Sequence, residues 1–206
     1  MSEKPDKMEM LCSLKEACMN CGMCDLGWQT GDDVEQYNPH VFSNFDPAVR
    51  LPEIMVVGQN PGWNEVCQKQ PFVGDAGKNF DNELFKHDVD RKHLYITNAV
   101  KCFSKGNKKP YEEQVNACEP FLRMEINIIK PQFIVALGAL AFNLLCPGED
   151  YRSNLGKITK SKKFNQKVFA IYHPSPLNLS NADRRSKYEK DIRKLCKLMQ
   201  HFLTPF

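Results

Sequence analysis

Short apolar runs alternate with stretches of helical spacing along most of this chain. Residues 54–57, 94–97, 133–137 and 168–172 are rich in β-branched and aromatic side chains, and each runs into a polar or glycine-containing turn. Continuous apolar runs of this length mark strands covered on both faces. Between them, apolar positions recur at helical intervals over 76–87, 112–129, 139–145 and 183–202. Strands and helices taking turns in this order predict an α/β fold: three layers, α/β/α, around a central, mostly parallel four-stranded sheet. Open sheets of this kind hold ligands beyond the carboxyl ends of their strands. That rule gathers residues 59–62, 98–102, 137–138 and 173–177 along one edge. Residues 25–50, rich in Asp, Asn, Gly and Pro, read as an ordered arm. The expectation is one domain over 1–206 with a cysteine-bearing N-terminal arm over about 1–50.

Composition narrows the class. With 206 residues, 42% of them hydrophobic and 26% charged, the chain can bury a substantial core. It has no secretory-signal pattern and no apolar run near bilayer length, which predicts an intracellular protein, cytoplasmic or nucleoid-associated, with no membrane partner; a monomer is expected. The net charge of +3 is modest, so placement matters more than the total. Five lysines lie in 157–167 and four in 101–109, and 184–194 is mainly basic. Such clusters are commonly solvated faces, yet beside candidate functional loops they favour a phosphate-backbone partner.

Nine cysteines in an intracellular chain are better explained as metal ligands and buried thiols than as disulfides. Cys21-Gly-Met-Cys24 sets two thiols on one side of a tight loop, and Cys102 and Cys118 are available to complete a tetrahedral sulfur site. Zinc and an iron–sulfur cluster both fit such a set, and spacing alone does not choose between them. Cys18 forms an overlapping Cys18-x-x-Cys21 pair and competes for a ligand role. The loops carry the sharper chemistry. In Gly58-Gln59-Asn60-Pro61-Gly62 the glycines permit close backbone approach to a ligand and Pro61 stiffens the turn. Phe72 lies in a loop before a helix, as a core plug or a stacking face. Asn98 ends a strand, as a cap or as an amide that reads a pyrimidine edge. His173-Pro174-Ser175-Pro176-Leu177 brings a histidine, a hydroxyl and an apolar side chain to the same edge.

In order along the chain, these segments resemble the uracil-DNA glycosylase superfamily, and most closely its iron–sulfur group, family 4. Cys21-x-x-Cys24-x-Leu26, Pro71-Phe-Val-Gly-x-Ala-Gly77, Tyr95-Ile-Thr-Asn-Ala-Val-Lys-Cys102, Cys118, Val135-Ala-Leu-Gly-Ala139 and His173-Pro-Ser175 carry the likeness. The resemblance implies a [4Fe-4S] cluster, with zinc as the alternative, on Cys21, Cys24, Cys102 and Cys118. It implies Phe72 stacking on an extruded base and Asn98 selecting uracil. His173 would steady charge on the leaving base, Ser175 grip a phosphate and Leu177 wedge into the duplex. The first motif departs from family 4, which has Gly-Glu-x-Pro-Gly there. Gln59 cannot act as a general base, and Asn60 resembles the water-positioning residue of other branches. Where the branch beginning Gly-Gln-Asp-Pro has a tyrosine that excludes the thymine methyl, this chain has Gly62.

The expected function is therefore a DNA-repair glycosylase. It would flip uracil, and also 5-substituted uracils, out of single- or double-stranded DNA, hydrolyse the N-glycosidic bond and leave an abasic site. A module that binds damaged or single-stranded DNA without catalysis is the alternative.

Overall fold

The computed structural model describes residues 6–27, 38–43 and 52–203. Parts of the expected arm, at 1–5, 28–37 and 44–50, lie outside the described residues. The chain runs through helix α1 (Lys7–Met19), strand β1 (Ile54–Gly58), helices α2 (Trp63–Gln68) and α3 (Asp75–Phe85), strand β2 (Leu94–Asn98), helix α4 (Glu112–Ile129) and strand β3 (Phe133–Leu137). It continues through helices α5 (Ala139–Leu145) and α6 (Tyr151–Asn154), strands β4 (Ile158–Ser161) and β5 (Gln166–Ile171), then helices α7 (Pro176–Leu179) and α8 (Ala182–Leu203).

The sheet has five strands in the order β2-β1-β3-β5-β4, one more than expected. The pairs β1–β2, β1–β3 and β3–β5 are parallel, and β4 runs antiparallel to β5 at the edge. β4 escaped the apolar pattern because it is an edge strand with alternating burial, written with Lys157, Lys160 and Lys162 around it rather than as an apolar run. The lysine run of 157–167 is thus the β4–β5 hairpin.

β1, β2 and β3 are buried at every position, as parallel strands between two helical layers must be. Successive side chains of a strand point to opposite faces, and the core divides accordingly. Met55, Val57, Tyr95, Ile134 and Ala136 pack with Leu11, Leu14, Leu122, Ile126 and Phe142 of α1, α4 and α5. Ile54, Val56, Ile96 and Val135 pack on the other side with Phe80 and Leu84 of α3 and with Tyr188, Ile192 and Leu195 of α8. The three-layer α/β/α arrangement follows from that division.

Because β2 and β3 flank β1 on opposite sides, the chain leaves β1 in one direction and later returns to its other edge, which opens a crevice at the carboxyl ends of β1 and β3. One side of this crevice is fixed by an unusually close approach. A Cβ on Gly77, in the first turn of α3, would lie 1.9 Å from the Phe72 carbonyl oxygen. Replacing Gly77 by Ala is expected to cost about 3 kcal/mol, the upper range for forcing a methyl group into packed structure. Urea unfolding of the variant beside the parent protein measures it.

Candidate active site and cysteine centre

The carboxyl edge of the sheet carries an open cleft of about 1150 Å³ lined by Gln59, Asn60, Gly62, Phe72, Asn98, His173, Ser175 and Leu177, among others. Residues from four separate segments of the sequence are thereby brought to one place. The lysines of 157–167 do not line it. The cations on its walls are Lys109 and Arg184, which stand at the ends of the basic stretches 101–109 and 184–194, and Arg152 of α6, which lies outside every charge cluster.

At the floor lies Gly58, the last residue of β1. A Cβ there would stand 2.4 Å from Phe72 Cε2 and 2.5 Å from Asn98 Oδ1. Only a residue without a side chain lets the ring and the amide meet over the strand end. Asn98 is 2% exposed. Its Oδ1 is buried and makes no hydrogen bond among the described residues. An orphaned buried acceptor costs roughly 1–3 kcal/mol, so this atom is poised for a donor from outside the protein.

Phe72 is buried, and its ring centroid lies 5.8 Å from that of His173 and 6.5 Å from that of Phe80. Its backbone is left-handed, with φ of 55°, a conformation that a bulky residue keeps only when its surroundings impose it. Arg91, paired with Asp81, donates to the carbonyls of both Pro71 and Phe72. On the other side stands Glu65, in the first turn of α2. Its Oε1 accepts the amides of Val73 at 2.9 Å and Gly74 at 2.7 Å, and its Oε2 accepts that of Gly62 at 2.9 Å. One carboxylate thus rivets the first motif to the aromatic loop. Sequence reasoning missed Glu65 and Arg91. The available signal for Glu65 was an acid three residues after Gly62, where a helix start accepts a carboxylate.

Gln59 and Asn60 interact directly. Gln59 Nε2 donates to Asn60 Oδ1 at 3.0 Å, while Asn60 Nδ2 donates to the Pro61 carbonyl at 3.1 Å and to Ser104 Oγ at 3.3 Å. The Asn60 amide is thereby held in one orientation. A Cβ on Gly62 would come within 2.7 Å of Glu65 Oε2, so a side chain there would have to shift the carboxylate that holds these amides.

His173 follows β5 and packs its Cβ against Gly138, whose φ is 92° and where an added Cβ would lie 3.1 Å away. Burial pushes its pKa down to about 4, a shift that the negative charge of Glu65 partly opposes. The imidazole is therefore neutral near pH 7. The loop that carries it is fixed from both sides: Asn178 Nδ2 donates to the His173 carbonyl and Asn79 Nδ2 to that of Pro174, each at 3.0 Å. Ser175 caps α7 by accepting the amide of Asn178, and Leu177 in the same short helix is 82% exposed at the mouth of the cleft.

Behind this site the cysteines gather. Cys18, Cys102 and Cys118 are buried in one core cluster, and Cys21 and Cys24 pack against it. Of the remaining thiols, Cys146 is buried in the same core cluster at the end of α5, Cys196 is buried on the other side of the sheet, and Cys12 and Cys67 are exposed. Residues 39–41 run antiparallel to 101–103, through Val41 N to Lys101 O at 2.7 Å and Phe103 N to Pro39 O at 3.0 Å. His40, in this segment, holds the Cys21 carbonyl at 2.8 Å and bridges to Cys102. Gln114 of α4 donates to Asp25 at 2.8 Å. These contacts bring the C-x-x-C turn to Cys102 and Cys118. Burial, reinforced by the neighbouring sulfurs, pushes the Cys18 and Cys102 thiols well up and the Cys118 thiol up to about 11, with Lys101 opposing at Cys18 and Cys118. Thiolates so placed require a soft cation, and a donor set of sulfurs suits iron–sulfur or zinc chemistry. Two backbone amides point at sulfurs: Lys101 N to Cys118 Sγ at 3.2 Å and Met23 N to Cys21 Sγ at 3.5 Å. Among the described residues no three Cys, His, Asp or Glu side chains close to the spacing of a single-ion site.

The family model for the Uracil DNA glycosylase superfamily matches residues 45–197. Similar proteins include a type-4 uracil-DNA glycosylase of Sulfurisphaera tokodaii, 34% identical over 93% of this chain and 86% of that protein. The type-4 uracil-DNA glycosylase of Archaeoglobus fulgidus is 33% identical over 93% of this chain and 94% of its own length. That of Thermotoga maritima is 38% identical over 68% and 74% respectively.

Two outcomes follow from the site's construction. Glu65→Ala strands three amides without their acceptor, and is expected to lower unfolding free energy by about 3 kcal/mol in a denaturant titration. His173 holds a native pKa of about 4 against 6.5 for the free side chain, so the unfolded chain binds a proton that the native state refuses. Stability is fully present above pH 6.5 and is lost as pH falls toward 4, by up to about 3 kcal/mol from this group. Urea midpoints measured between pH 7.5 and 4 should fall more steeply for the parent protein than for His173→Gln.

Proposed function

The chain belongs to the uracil DNA glycosylase superfamily and is a DNA-repair enzyme of that class; we propose that it reads a flipped-out uracil with Asn98 and Phe72 and releases it with the help of His173. The observation that carries this reading is the orphaned Asn98 Oδ1, buried beside the Phe72 ring. Uracil offers an N3–H donor next to the O4 acceptor, so one amide satisfies both, its Oδ1 accepting N3–H and its Nδ2 donating to O4. Cytosine presents the opposite pattern at these positions and would leave the buried amide mispaired. Phe72 covers a face of the base, and the dry surroundings strengthen both hydrogen bonds.

Breaking the N-glycosidic bond builds positive charge on the sugar and negative charge on the departing base. A neutral imidazole supplies what the base requires, an N–H donor aimed at uracil O2 that grows in value as charge develops. The water that completes hydrolysis meets no strong base in the first motif. Asn60 orients it through the Oδ1 lone pair that Gln59 leaves free. Gly62, with no side chain of its own, leaves the 5-position of the base unguarded, which supports acceptance of 5-substituted uracils. Leu177, exposed at the mouth, fills the gap left by the extruded base, and Ser175 with Lys109, Arg152 and Arg184 meets the phosphates of single- or double-stranded DNA. The partner sets the compartment as an intracellular one.

We assign Cys21, Cys24, Cys102 and Cys118 as the ligands of a [4Fe-4S] cluster, supported by the type-4 relatives and by the gathering of these sulfurs. Bound there, the cluster supplies a covalent cross-link between the N-terminal segment, the end of β2 and α4. The chemistry on the base is left to the side chains of the cleft.

The decisive experiment uses a labelled oligonucleotide containing one uracil, beside a visible absorption spectrum. Alkali-labile cleavage and a brown protein are expected, and His173→Ala is expected to lower kcat by about 10²–10³-fold with DNA affinity nearly unchanged. Retention of the oligonucleotide with no abasic product would instead make the chain a damage-binding module. Duplexes carrying thymine and 5-hydroxymethyluracil test Gly62 in the same assay, where rejection of both would close the proposed gate.

A further inference from the structure

Beneath the base pocket lies a charged pair that none of the cleft chemistry uses. The Lys101 side chain is 1% exposed and that of Glu125 is 0% exposed. The Lys101 ammonium donates to Thr97 Oγ1 at 2.7 Å, to the Asn98 carbonyl at 2.6 Å and to Glu125 Oε2. The other carboxylate oxygen of Glu125 accepts Tyr95 OH at 3.0 Å and Thr97 Oγ1 at 2.9 Å. All three ammonium protons and both carboxylate oxygens are engaged. Taking such a pair out of water costs as much as, or more than, its mutual attraction returns, and a well-packed apolar pair would stabilise the core equally well. A fully satisfied network does something an apolar pair cannot: it fixes particular backbone atoms in particular places.

The atoms fixed here belong to two sites. Lys101 grips the carbonyl of Asn98 from behind, on the residue whose side-chain oxygen lies orphaned in the cleft. The backbone amide of the same lysine donates to Cys118 Sγ, and Cys118 shares α4 with Glu125, two turns along. Lys101 is thus bonded at one end to a sulfur of the cysteine centre and at the other to the strand end that presents Asn98, with α4 as the common anchor. We propose that Lys101 and Glu125 are positioning residues that couple the cysteine cluster to base recognition, so that the cluster state sets how well Asn98 holds uracil. The inference rests on Asn98 being the residue that reads the base.

The test is free-uracil binding by calorimetry on cluster-loaded protein, which reads the pocket without turnover. Lys101→Met with Glu125→Gln removes the charges together while keeping an acceptor for Tyr95 and Thr97. This double variant is expected to retain the cluster's visible spectrum and its affinity for undamaged DNA, and to bind uracil at least tenfold more weakly. Thr97→Val, a milder cut of the same network, is expected to lose severalfold and provides the measurement if the double variant does not fold. Oxidative loss of the cluster should weaken uracil binding in the parent protein and add nothing further in the variant. Wild-type uracil affinity in either folded variant would overturn the coupling. Asn98→Ala separates the two levels: if it too leaves uracil affinity unchanged, the reading of the pocket fails, and if it alone abolishes binding, only the coupling does.

Discussion

A hydrogen atom where a side chain would ordinarily stand, at Gly58, is the constraint on which this site depends. The strand end must be bare for the Phe72 ring and the Asn98 amide to converge over it. Everything else serves to hold those two groups there. Arg91 and Glu65 clamp the aromatic loop in a backbone conformation that Phe72 would not choose. Lys101 holds the other partner through its carbonyl. The cost of a strained residue and an orphaned acceptor is carried by a rigid three-layer core, in which strands buried on both faces leave little room for relaxation.

Much of this architecture was legible in the residues. The four apolar runs became β1, β2, β3 and β5, and the helical stretches over 112–129 and 139–145 became α4 and α5, because long-range burial and local pattern agree there. The fifth strand was not legible, since an edge strand needs one covered face at most and its lysines read as surface. Helix α1 escaped as well. Its buried residues Leu11, Leu14 and Cys18 fall at helical spacing, but Met8, Met10, Cys12 and Met19 around them blur the stripe, and packing against α4 settles which face is covered.

In the cleft, the residues carried by named motifs could be read from order and type, and the structure brings them to one edge. The residues that brace them could not. Glu65 looks like an ordinary helix-start acid, Arg91 like a solvated charge, and Lys101 like one member of a basic cluster. Each acquires its meaning from backbone atoms that are distant in sequence or hidden in the fold, such as the amides of Val73 and Gly74 or the carbonyl of Asn98. Side-chain-to-backbone bonds of this kind carry no residue-pair signature. The same holds for His40, whose ring secures the turn of Cys21 from a segment that composition marked only as an ordered arm.

The margin of the sheet has a bearing on how these molecules behave in a crowd. β4 is four residues long, ends the sheet, and is set among Lys157, Lys160, Lys162 and Lys163. An enzyme drawn to a polyanion accumulates at high local density, where unpaired strand borders would otherwise anneal from one copy to the next. Short length and mutual repulsion of like charges blunt that border. The lysines that stand away from the cleft thus guard the open border of the sheet.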